Sequence, residues 1–367
     1  MKTRLADLLC CPNCQHALAL EPTSSQGDEI VSGQLRCSEC GAQFPIRDGI
    51  PRFVSGDAYV SNFSFEWKRW RLTQLDTPLQ SRSEATFLTS TGRRPEEMAG
   101  KLVLDAGCGA GCHMDVVARA GAEVVGIDLS FAVDAARENL RALPNCHLVQ
   151  GDILHLPFRP SVFDFVYSIG VLEHTPDTHA GVMSLLGPLK PGGEVATWFL
   201  PRRRLTETYQ YFPGRVNEVL GQDVGFRIPS SMDGMVRRLA PLLDFTMETS
   251  ASLERAVTTR LPRQWLYWLC HVAIPLYYLY RIPLFYPLRL VTRIAMDPDP
   301  ERRVLDTFDW YSPRYKGTRS FSEARAWFEE AGLEEVTLLP RAVAVRGRKS
   351  GATTGKAQEV NRQPSEK

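Results

Sequence analysis

The sequence predicts an α/β fold: a seven-stranded, mostly parallel sheet that ends in an antiparallel hairpin, with a small cysteine-rich N-terminal unit and a helical insertion. Three observations predict it. Five short β-branched runs alternate with helical stretches after residue 100, a helix and two further strands follow near residue 320, and two C-x2-C pairs lie within the first 54 residues. Strands that alternate with helices form parallel sheets covered on both faces.

The elements follow from hydrophobic patterns bounded by Gly, Asp or Pro. The first five strands are predicted at 101–104, 123–127, 147–149, 163–169 and 194–199. The helices between them are predicted at 111–120, 131–143 and 178–189. A serine-capped helix at 320–331 is followed by strands at 335–339 and 342–346, which a tight turn at Pro340 and Arg341 joins into the terminal hairpin.

A chain of 367 residues is too long for one ordinary core, so we expect several units. Residues 201–319 are too long for a plain connection between strands five and six. The expected units are a cysteine-rich domain at 1–54, an aromatic connecting arm at 55–100, a sheet domain at 101–200 with 320–348, an insertion at 201–319 and a disordered tail at 349–367.

Composition limits the classes of function. The formal net charge is +1, so no global basic field attracts nucleic acid, and a nucleic-acid partner is disfavoured. The first nine residues contain no apolar core of signal-peptide length. We therefore expect a cytoplasmic protein whose nine cysteines stay reduced, so that close cysteine pairs favour metal binding.

A glycine-rich loop follows the first strand of the sheet and opens a helix. It contains Gly107, Gly109 and Gly111, and Asp105 lies two residues before the first glycine. Glycines allow a sharp turn and a close approach of backbone to ligand, and the free N–H groups of the new helix favour a carboxylate. The third glycine comes one residue too early for the dinucleotide spacing, and an acid at position 105 would hold an ammonium group but repel a pyrophosphate.

Two further acids close the next two strands. Asp128 comes 21 residues after Gly107, where a carboxylate accepts ribose hydroxyls. Asp152 follows strand three, where it would accept an adenine amino group while Leu129, Ile153 and Leu154 cover the ring. Each acid alone is equally explained as a helix cap or a turn residue, but their occurrence at consecutive strand ends favours a ligand site.

These residues resemble class I S-adenosylmethionine-dependent methyltransferases of the Rossmann-like, type 11 group that includes ubiquinone and menaquinone methyltransferases. The resemblance covers residues 101–200 closely and the terminal hairpin loosely. It implies that Asp105 and Gly107 serve the methionine end of the cofactor, Asp128 the ribose, and Asp152 with the Ile153 amide the adenine. Segments 61–70 and 306–315 also resemble bacterial members associated with polysaccharide or lipid-linked glycan pathways.

The N-terminal unit has the spacing of a metal site. Cys11 and Cys14 form one C-x2-C pair, and Cys37 and Cys40 form another after a gap of 22 residues. Two such pairs complete a tetrahedron around Zn²⁺ and leave no open position, so the zinc would be structural. Free thiols or a redox pair are the alternative, and Cys10 is a substitute ligand. The unit resembles the zinc-ribbon activator subunits of tRNA and protein methyltransferases.

Groups for the methyl acceptor are predicted after strand four, where Tyr167, Ser168, Glu173 and His174 lie. His174 is the candidate general base, because its ordinary pKa is near neutrality. A histidine packed against the next turn, or closing the cofactor pocket, is an equal alternative. A second polar and aromatic cluster, equally explained as a structural hairpin, comprises Asp306, Asp309, Tyr311 and Tyr315.

Residues 265–290 form the most apolar stretch of the chain. Pro275, Pro283, Pro287 and Arg281 argue against a membrane-spanning helix. Two short helices rich in Trp and Tyr, flanked by arginines, would lie at a membrane interface or cover a lipid-like acceptor. Packing as core helices of the insertion is the alternative, slightly favoured. We also expect the insertion to supply the acceptor pocket, through residues 265–280 in particular.

The sequence is compatible with three candidate functions. The first is an enzyme that methylates a small-molecule or lipid- or glycan-linked acceptor. The second is an RNA methyltransferase whose ribbon binds RNA, although residues 1–54 offer only Lys2, Arg4, Arg36, Arg47 and Arg52 as basic contacts. The third is a non-catalytic cofactor-binding module, which would require a damaged cofactor site. No feature of the sequence indicates an oligomeric state.

Overall fold

The computed structural model describes most of the chain. The described residues are 1–56, 58–73, 75–77, 81–202, 206, 209–210, 233–258, 260–282, 285, 294–341 and 343–351. Of the predicted tail only 349–351 are described, and Lys349 ends the last strand rather than beginning the tail. The remainder of that prediction lies outside the described residues.

Eleven strands form two sheets within this part of the chain. The N-terminal sheet has the order β1-β2-β3-β4 and the large sheet the order β10-β11-β9-β8-β5-β6-β7. The strands are β1 (Leu18–Gln26), β2 (Glu29–Cys37), β3 (Gln43–Arg47), β4 (Ile50–Pro51), β5 (Leu102–Ala106), β6 (Glu123–Asp128), β7 (Cys146–Gln150), β8 (Phe163–Ile169), β9 (Leu189–Trp198), β10 (Leu333–Leu338) and β11 (Ala344–Lys349). The predicted seven-stranded sheet is confirmed.

The terminal hairpin of this sheet is confirmed, and its placement is now defined. Strand β11 pairs antiparallel with both β9 and β10, so the last strand lies between them and β10 forms the edge. The other neighbouring pairs, β5–β6, β5–β8, β6–β7 and β8–β9, are parallel.

Helices lie between and beside these strands. In the described residues they are α1 (Thr3–Leu8), α2 (Ser61–Arg69), α3 (Arg82–Thr91), α4 (Cys112–Arg119), α5 (Ala132–Leu140), α6 (Thr178–Ser184), α7 (Asp233–Thr258), α8 (Arg263–Cys270), α9 (Ala273–Leu279), α10 (Pro300–Tyr311) and α11 (Phe321–Glu330). Helix α6 is shorter than the predicted 178–189 because Leu189 already begins β9 and is fully buried there. At α11, Ser320 and Glu323 form a reciprocal capping box.

The N-terminal unit packs against the large sheet at its β7 edge. The Phe53 amide donates 2.8 Å to the carbonyl of Gln150, the last residue of β7. The buried Arg52 side chain donates to Gln150 Oε1 at 2.9 Å and to Asp134 Oδ1 of α5 at 2.5 Å. Apolar residues of both units, such as Leu9 and Phe158, share one core. This contact covers a sheet edge that would otherwise expose unpaired backbone groups.

The apolar stretch of the insertion divides into a buried and an exposed face. Leu266 and Cys270 of α8 are buried against α10 and Trp70, whereas Trp265 and Trp268 are 73% and 68% exposed. The alternative prediction, that these helices pack as core of the insertion, is therefore confirmed for the face of α8 that carries Leu266 and Cys270. Within the described residues, no helix is both long and apolar enough to cross a membrane.

Candidate cofactor site and zinc site

A cavity of about 650 Å³ opens at the carboxyl ends of β5, β6, β7 and β8. Ligands of open α/β sheets bind at this end, because the loops that follow the strands converge there. Seven of the nine predicted cofactor and catalytic residues line the cavity: Gly107, Gly109, Asp128, Leu129, Asp152, Ile153 and His174. Their assignment as cofactor ligands stays a prediction.

The glycine loop has the backbone that its composition predicts. Gly107 has φ +97° and Gly109 has φ +51°, a region that side chains rarely tolerate. A Cβ on Gly107 would stand 2.3 Å from the Val171 side chain, and one on Gly109 would stand 3.2 Å from the Trp67 ring. The loop is thus closely covered by neighbouring side chains, and only glycine fits at position 107.

The Asp128 carboxylate is held by three donors. Its Oδ1 accepts from the amide and the hydroxyl of Ser130 at 2.8 and 2.6 Å, and its Oδ2 accepts from the Gly109 amide at 2.9 Å. Burial raises the pKa of Asp128, while these three hydrogen bonds oppose the rise. A carboxylate has about four acceptor sites, so capacity for a ligand hydroxyl remains mainly at Oδ2. The turn-residue alternative and the ligand prediction are therefore compatible.

Asp152 also has two roles in the structure, since it caps a turn and lines the cavity. Its Oδ1 caps a short 3-10 turn by accepting the Leu154 amide at 2.9 Å, and its Oδ2 lies 3.2 Å from His155 Nδ1. The residue nevertheless lines the cavity together with Ile153. The cap fixes the carboxylate at the end of β7, where a ligand's amino group would meet it.

Asp105 and Gly111, the other two predicted cofactor residues, do not line the cavity. Asp105 is 2% exposed and its Oδ2 accepts a 3.0 Å hydrogen bond from the Tyr167 hydroxyl. Burial raises the pKa of Asp105 to about 8, against the effect of that hydrogen bond. Gly111 has φ +84° and precedes the first residue of α4, where a Cβ would meet Leu140.

Of the residues predicted after strand four, His174 alone reaches the cavity. Its Nδ1 lies 2.9 Å from the Tyr315 carbonyl oxygen, and its ring meets Phe63 edge-on at 5.2 Å. A carbonyl only accepts, so Nδ1 carries the proton and the basic nitrogen of the neutral ring is Nε2. Tyr167 and Ser168 instead bond Asp105 and the Ala106 carbonyl, and Glu173 is buried beside the Leu200 amide.

The side of the cavity opposite the sheet comes from the arm and the insertion. Helix α2 contributes Phe63, Glu66 and Trp67, and Asn62 Nδ2 ties it to the Ser312 carbonyl at 2.6 Å. From the sequence this arm was predicted to be only a connection, and its part in lining the cavity was not predicted. The spacing of Phe63 and Trp67, one helical turn apart, was the available signal. The residues of 295–310 that line the cavity are Ala295, Met296, Asp297, Pro298, Arg302, Asp306, Asp309 and Trp310.

The insertion was expected to supply the acceptor pocket, through residues 265–280 in particular. The described parts of the insertion that line the cavity are instead Pro201 and residues within 295–310, and none of 265–280 does so. The buried side chains of 265–280 pack against α10 and against one another, as expected of helices that turn one apolar face to the core. Of the predicted cluster of 306–315, Asp306 and Asp309 line the cavity, whereas Tyr311 packs in the insertion core and Tyr315 against Tyr59, and a role in acceptor binding stays a prediction.

The four predicted cysteine ligands lie together in the N-terminal unit. The sulfur atoms of Cys11, Cys14, Cys37 and Cys40 all lie within 4.8 Å of one another. The Cys11–Cys40 and Cys14–Cys37 sulfurs are 3.6 and 3.4 Å apart, close to the roughly 3.8 Å edge of a tetrahedron with zinc–sulfur bonds of about 2.3 Å. Cys10 points elsewhere and bonds Gln15. The cluster suits a structural zinc ion.

The Rossmann-like sheet and its glycine loop have the arrangement expected of an S-adenosylmethionine-dependent methyltransferase domain. Residues 104–197 match the family described as Methyltransferase domain, and residues 2–49 match the family described as Trm112p-like protein. The predicted combination of a methyltransferase domain with an activator-like zinc ribbon is therefore confirmed.

The similar proteins each match about a third of the chain or less. The chain is 37% identical over 108 residues to "Ubiquinone biosynthesis O-methyltransferase" of Pectobacterium carotovorum, covering 28% of this chain and 44% of that one. It is 36% identical over 124 residues to "tRNA U34 carboxymethyltransferase" of Geobacter sp., and the match covers 33% of this chain and 38% of that one. A solved structure of an S-adenosylmethionine-dependent methyltransferase from Mesorhizobium loti is 27% identical with a TM-score of 0.26. The match covers 29% of this chain and 52% of that one. The chain spans less than half the length of these two curated relatives.

Proposed function

We propose that this protein is an enzyme that transfers a methyl group from S-adenosylmethionine to a small-molecule or lipid- or glycan-linked acceptor. One observation carries the proposal: a single cavity is lined on one side by the glycine loop and the strand-end acids, and on the other by α2 and the insertion. A volume of about 650 Å³ lies within the range of small-molecule sites. Cofactor and acceptor would thus share one cavity.

When bound, the cofactor supplies an electrophilic methyl carbon on its sulfonium sulfur. The chain's own residues would hold the cofactor, with Asp128 accepting from the ribose, Asp152 and Ile153 meeting the adenine, and Gly107 allowing close approach. Asp105 lies behind the loop, so it would support the methionine end through the loop and Tyr167. Trp67 over Gly109 would exclude water from this end of the cavity.

His174 is the group we assign to proton removal from the acceptor. It lines the cavity, and the Tyr315 carbonyl fixes the tautomer whose Nε2 accepts a proton. Aromatic contact with Phe63 orients the ring. The alternative, that His174 only closes the pocket, predicts that His174→Gln changes binding but leaves the pH dependence of transfer intact.

The acceptor class can be tested directly. Cell extract is incubated with the protein and methyl-labelled S-adenosylmethionine, then separated into lipid, glycan, small-molecule, RNA and protein fractions. We expect label in one of the first three fractions, and less of it with the Asp128→Ala variant at limiting cofactor. Label in RNA would favour the alternative below. Cofactor binding without any transfer would favour a non-catalytic module.

An RNA acceptor is the second candidate, favoured by the similarity to a tRNA-modifying enzyme and by the Trm112p-like domain. The basic residues of that domain argue against it. Lys2 and Arg4 bond Pro144 and Glu123 of the sheet domain, and Arg52 is buried. Only Arg36 and Arg47 of the five remain exposed away from that interface. Two arginines are few for a surface that binds RNA through phosphates.

A peripheral membrane contact is proposed for the exposed side of α8 and α9. Trp265, Trp268, Leu269 and Val272 are exposed at helical spacing, and Arg260, Arg263 and Arg281 lie exposed beside them. Such a face buries aromatic rings among lipid headgroups while arginines contact anionic lipids. Sedimentation with anionic vesicles should recover the wild-type protein and lose the Trp265→Ser/Trp268→Ser double variant. Equal recovery of both would refute the contact.

A further inference from the structure

Trp67 of the arm helix α2 stands directly over the glycine loop. A Cβ placed on Gly109 would lie 3.2 Å from Cε2 and 3.3 Å from Nε1 of the indole. The Gly109 amide in turn donates to Asp128 Oδ2 at 2.9 Å. Trp67, Gly109 and Asp128 all line the cavity, so a ligand held by the Asp128 carboxylate lies beside the indole ring.

Asn139 of α5 joins the end of the arm helix to the glycine loop. Its Nδ2 donates to the Ala110 carbonyl in the loop at 3.0 Å and to the carbonyl of Arg71, two residues beyond α2, at 2.9 Å. Its Oδ1 accepts from Arg71 Nη1 at 2.9 Å. One amide group therefore uses both of its donor hydrogens and its acceptor oxygen to hold together two segments that are distant in sequence.

Two further contacts fix the middle of α2. Ser64 Oγ accepts from the amide of Phe131, the residue that precedes α5, at 3.1 Å. Toward the insertion, Phe65 packs against Phe308 of α10 with ring centres 5.8 Å apart. The position of Trp67 over the loop is therefore set by α5 and the insertion, because neither its own helix nor the loop alone makes these contacts.

Asn139 lies behind the glycine loop, outside the cavity. The residue is half-buried and does not line the cavity, whereas Ala110 and Trp67 both do. Asn139 holds Ala110 directly and Trp67 through the end of α2. Any effect of Asn139 on a bound ligand must pass through these two contacts, so its contribution can be separated from that of residues that touch the ligand.

We propose that Trp67 contacts the nucleoside part of the bound cofactor and that Asn139 is the positioning residue that holds Trp67 there. This inference rests on the proposed methyl-transfer function, because it adds two residues to the cofactor site of the same cavity. The nucleoside part is chosen because Trp67 covers Gly109, whose amide bonds the carboxylate that we assign to the ribose. An indole ring offers a large contact area to such a ligand.

The first test is calorimetric titration of two ligands into the full chain: S-adenosylhomocysteine, and 5′-methylthioadenosine, which has the nucleoside but lacks the amino-acid end. Trp67→Ala should weaken binding of both by about tenfold, because the contact of a large aromatic ring is lost. Trp67→Phe should recover part of that loss, since it keeps a smaller ring in the same place. Asn139→Ala should weaken binding of both by at least about threefold.

The double variant tests whether Asn139 acts through Trp67. If Asn139 matters because it positions the indole, Asn139→Ala should add little to the loss already caused by Trp67→Ala. Fluorine NMR of protein labelled with 5-fluorotryptophan gives a second readout. The Trp67 resonance, identified by its disappearance in Trp67→Phe, should shift in Asn139→Ala before any ligand is added.

Asn145 provides a matched control. Its Nδ2 also donates to two backbone carbonyls, those of Ala118 and Ala122, at 2.8 and 2.6 Å, and it is half-buried like Asn139. Asn145 does not line the cavity and bonds neither the glycine loop nor the arm. Asn145→Ala should therefore lower the melting temperature while leaving both affinities and the Trp67 resonance unchanged.

The outcomes separate this inference from the function on which it rests. Failure of S-adenosylhomocysteine to bind the wild type would overturn the proposed function. Normal binding that survives Trp67→Ala unchanged would overturn this inference alone. A loss seen with S-adenosylhomocysteine but absent with 5′-methylthioadenosine would contradict the nucleoside contact. Fully additive losses in the double variant, or equal losses in Asn139→Ala and Asn145→Ala, would contradict the positioning role of Asn139.

Discussion

The Tyr167 hydroxyl donates a 3.0 Å hydrogen bond to Asp105 Oδ2, and both residues are almost completely buried. The bond joins neighbouring strands β8 and β5 directly beneath the glycine loop. Burial dominates the electrostatics, because the pKa of Asp105 is raised from 3.8 to about 8 despite the donor. The acid behind the loop is therefore mostly protonated at neutral pH when no cofactor is bound.

This raised pKa predicts a pH dependence of stability. Between about pH 4 and pH 8 the unfolded state loses the Asp105 proton while the folded state keeps it, so the stability from Asp105 is present below pH 4 and is lost as pH rises to 8. Asp105→Asn should remove this loss. The unfolding free energy of the variant minus that of the wild type should rise with pH by up to about 1.4 kcal/mol per unit. Denaturant unfolding at several pH values measures it, and a constant difference would contradict it.

A second prediction concerns the cofactor. Asp128→Ala should weaken binding of S-adenosylhomocysteine by at least about 1.4 kcal/mol, or tenfold, because hydrogen bonds to a charged acceptor are lost. Isothermal calorimetry measures the affinity, with Glu138→Ala on the exposed side of α5 as the matched control. Unchanged affinity in Asp128→Ala, or NAD binding by the wild type in place of S-adenosylhomocysteine, would refute the assignment.

The zinc site gives a third prediction with an internal control. Purified protein should contain about one zinc per chain, since four thiolates complete one tetrahedron. Cys11→Ser or Cys40→Ser should release the metal and loosen residues 1–54, whereas the adjacent Cys10→Ser should retain it, because Cys10 bonds Gln15 outside the cluster. Elemental analysis decides, and a zinc-free wild type with a folded N-terminal unit would exclude the site.

The two faces of α8 give a fourth prediction. Leu266→Ala should reduce the unfolding free energy by about 2–5 kcal/mol, because Leu266 is buried against Val304 and Phe308. Trp268→Ser on the opposite face should change it by no more than about 0.5 kcal/mol. Neither change should alter cofactor affinity, because α8 does not line the cavity. Equal destabilisation by the two variants would show that the exposed face is also packed.

Much of the sheet domain was predictable because its signals are local. Each strand is a short apolar run, and Phe163–Ile169 was predicted with its observed bounds. Asp128 ends β6 and Asp152 follows the end of the neighbouring parallel strand β7, so their approach to one cavity follows from topology alone. The C-x2-C pairs similarly predict their own cluster, since each spacer brings two sulfurs together.

The side of the cavity opposite the sheet depends on contacts that no local sequence pattern encodes. Glu66 and Asp306 are far apart in the chain, and only the packing of α2 and α10 brings them to one cavity. Asp105 is likewise kept away from the cavity by a contact between strands, because it is buried beneath the loop and bonded to Tyr167 of the neighbouring strand β8.

The sequence by itself determined the class of fold, the strand-end residues that line the cavity and the four clustered cysteines, because periodicity, turn chemistry and ligand spacing act over a few residues. The tertiary structure alone decided which apolar helices pack as core, which acid stays behind the loop and which residues of α2 and α10 line the cavity. Those outcomes depend on burial and charge summed over segments distant in sequence, and only the assembled fold sets these quantities.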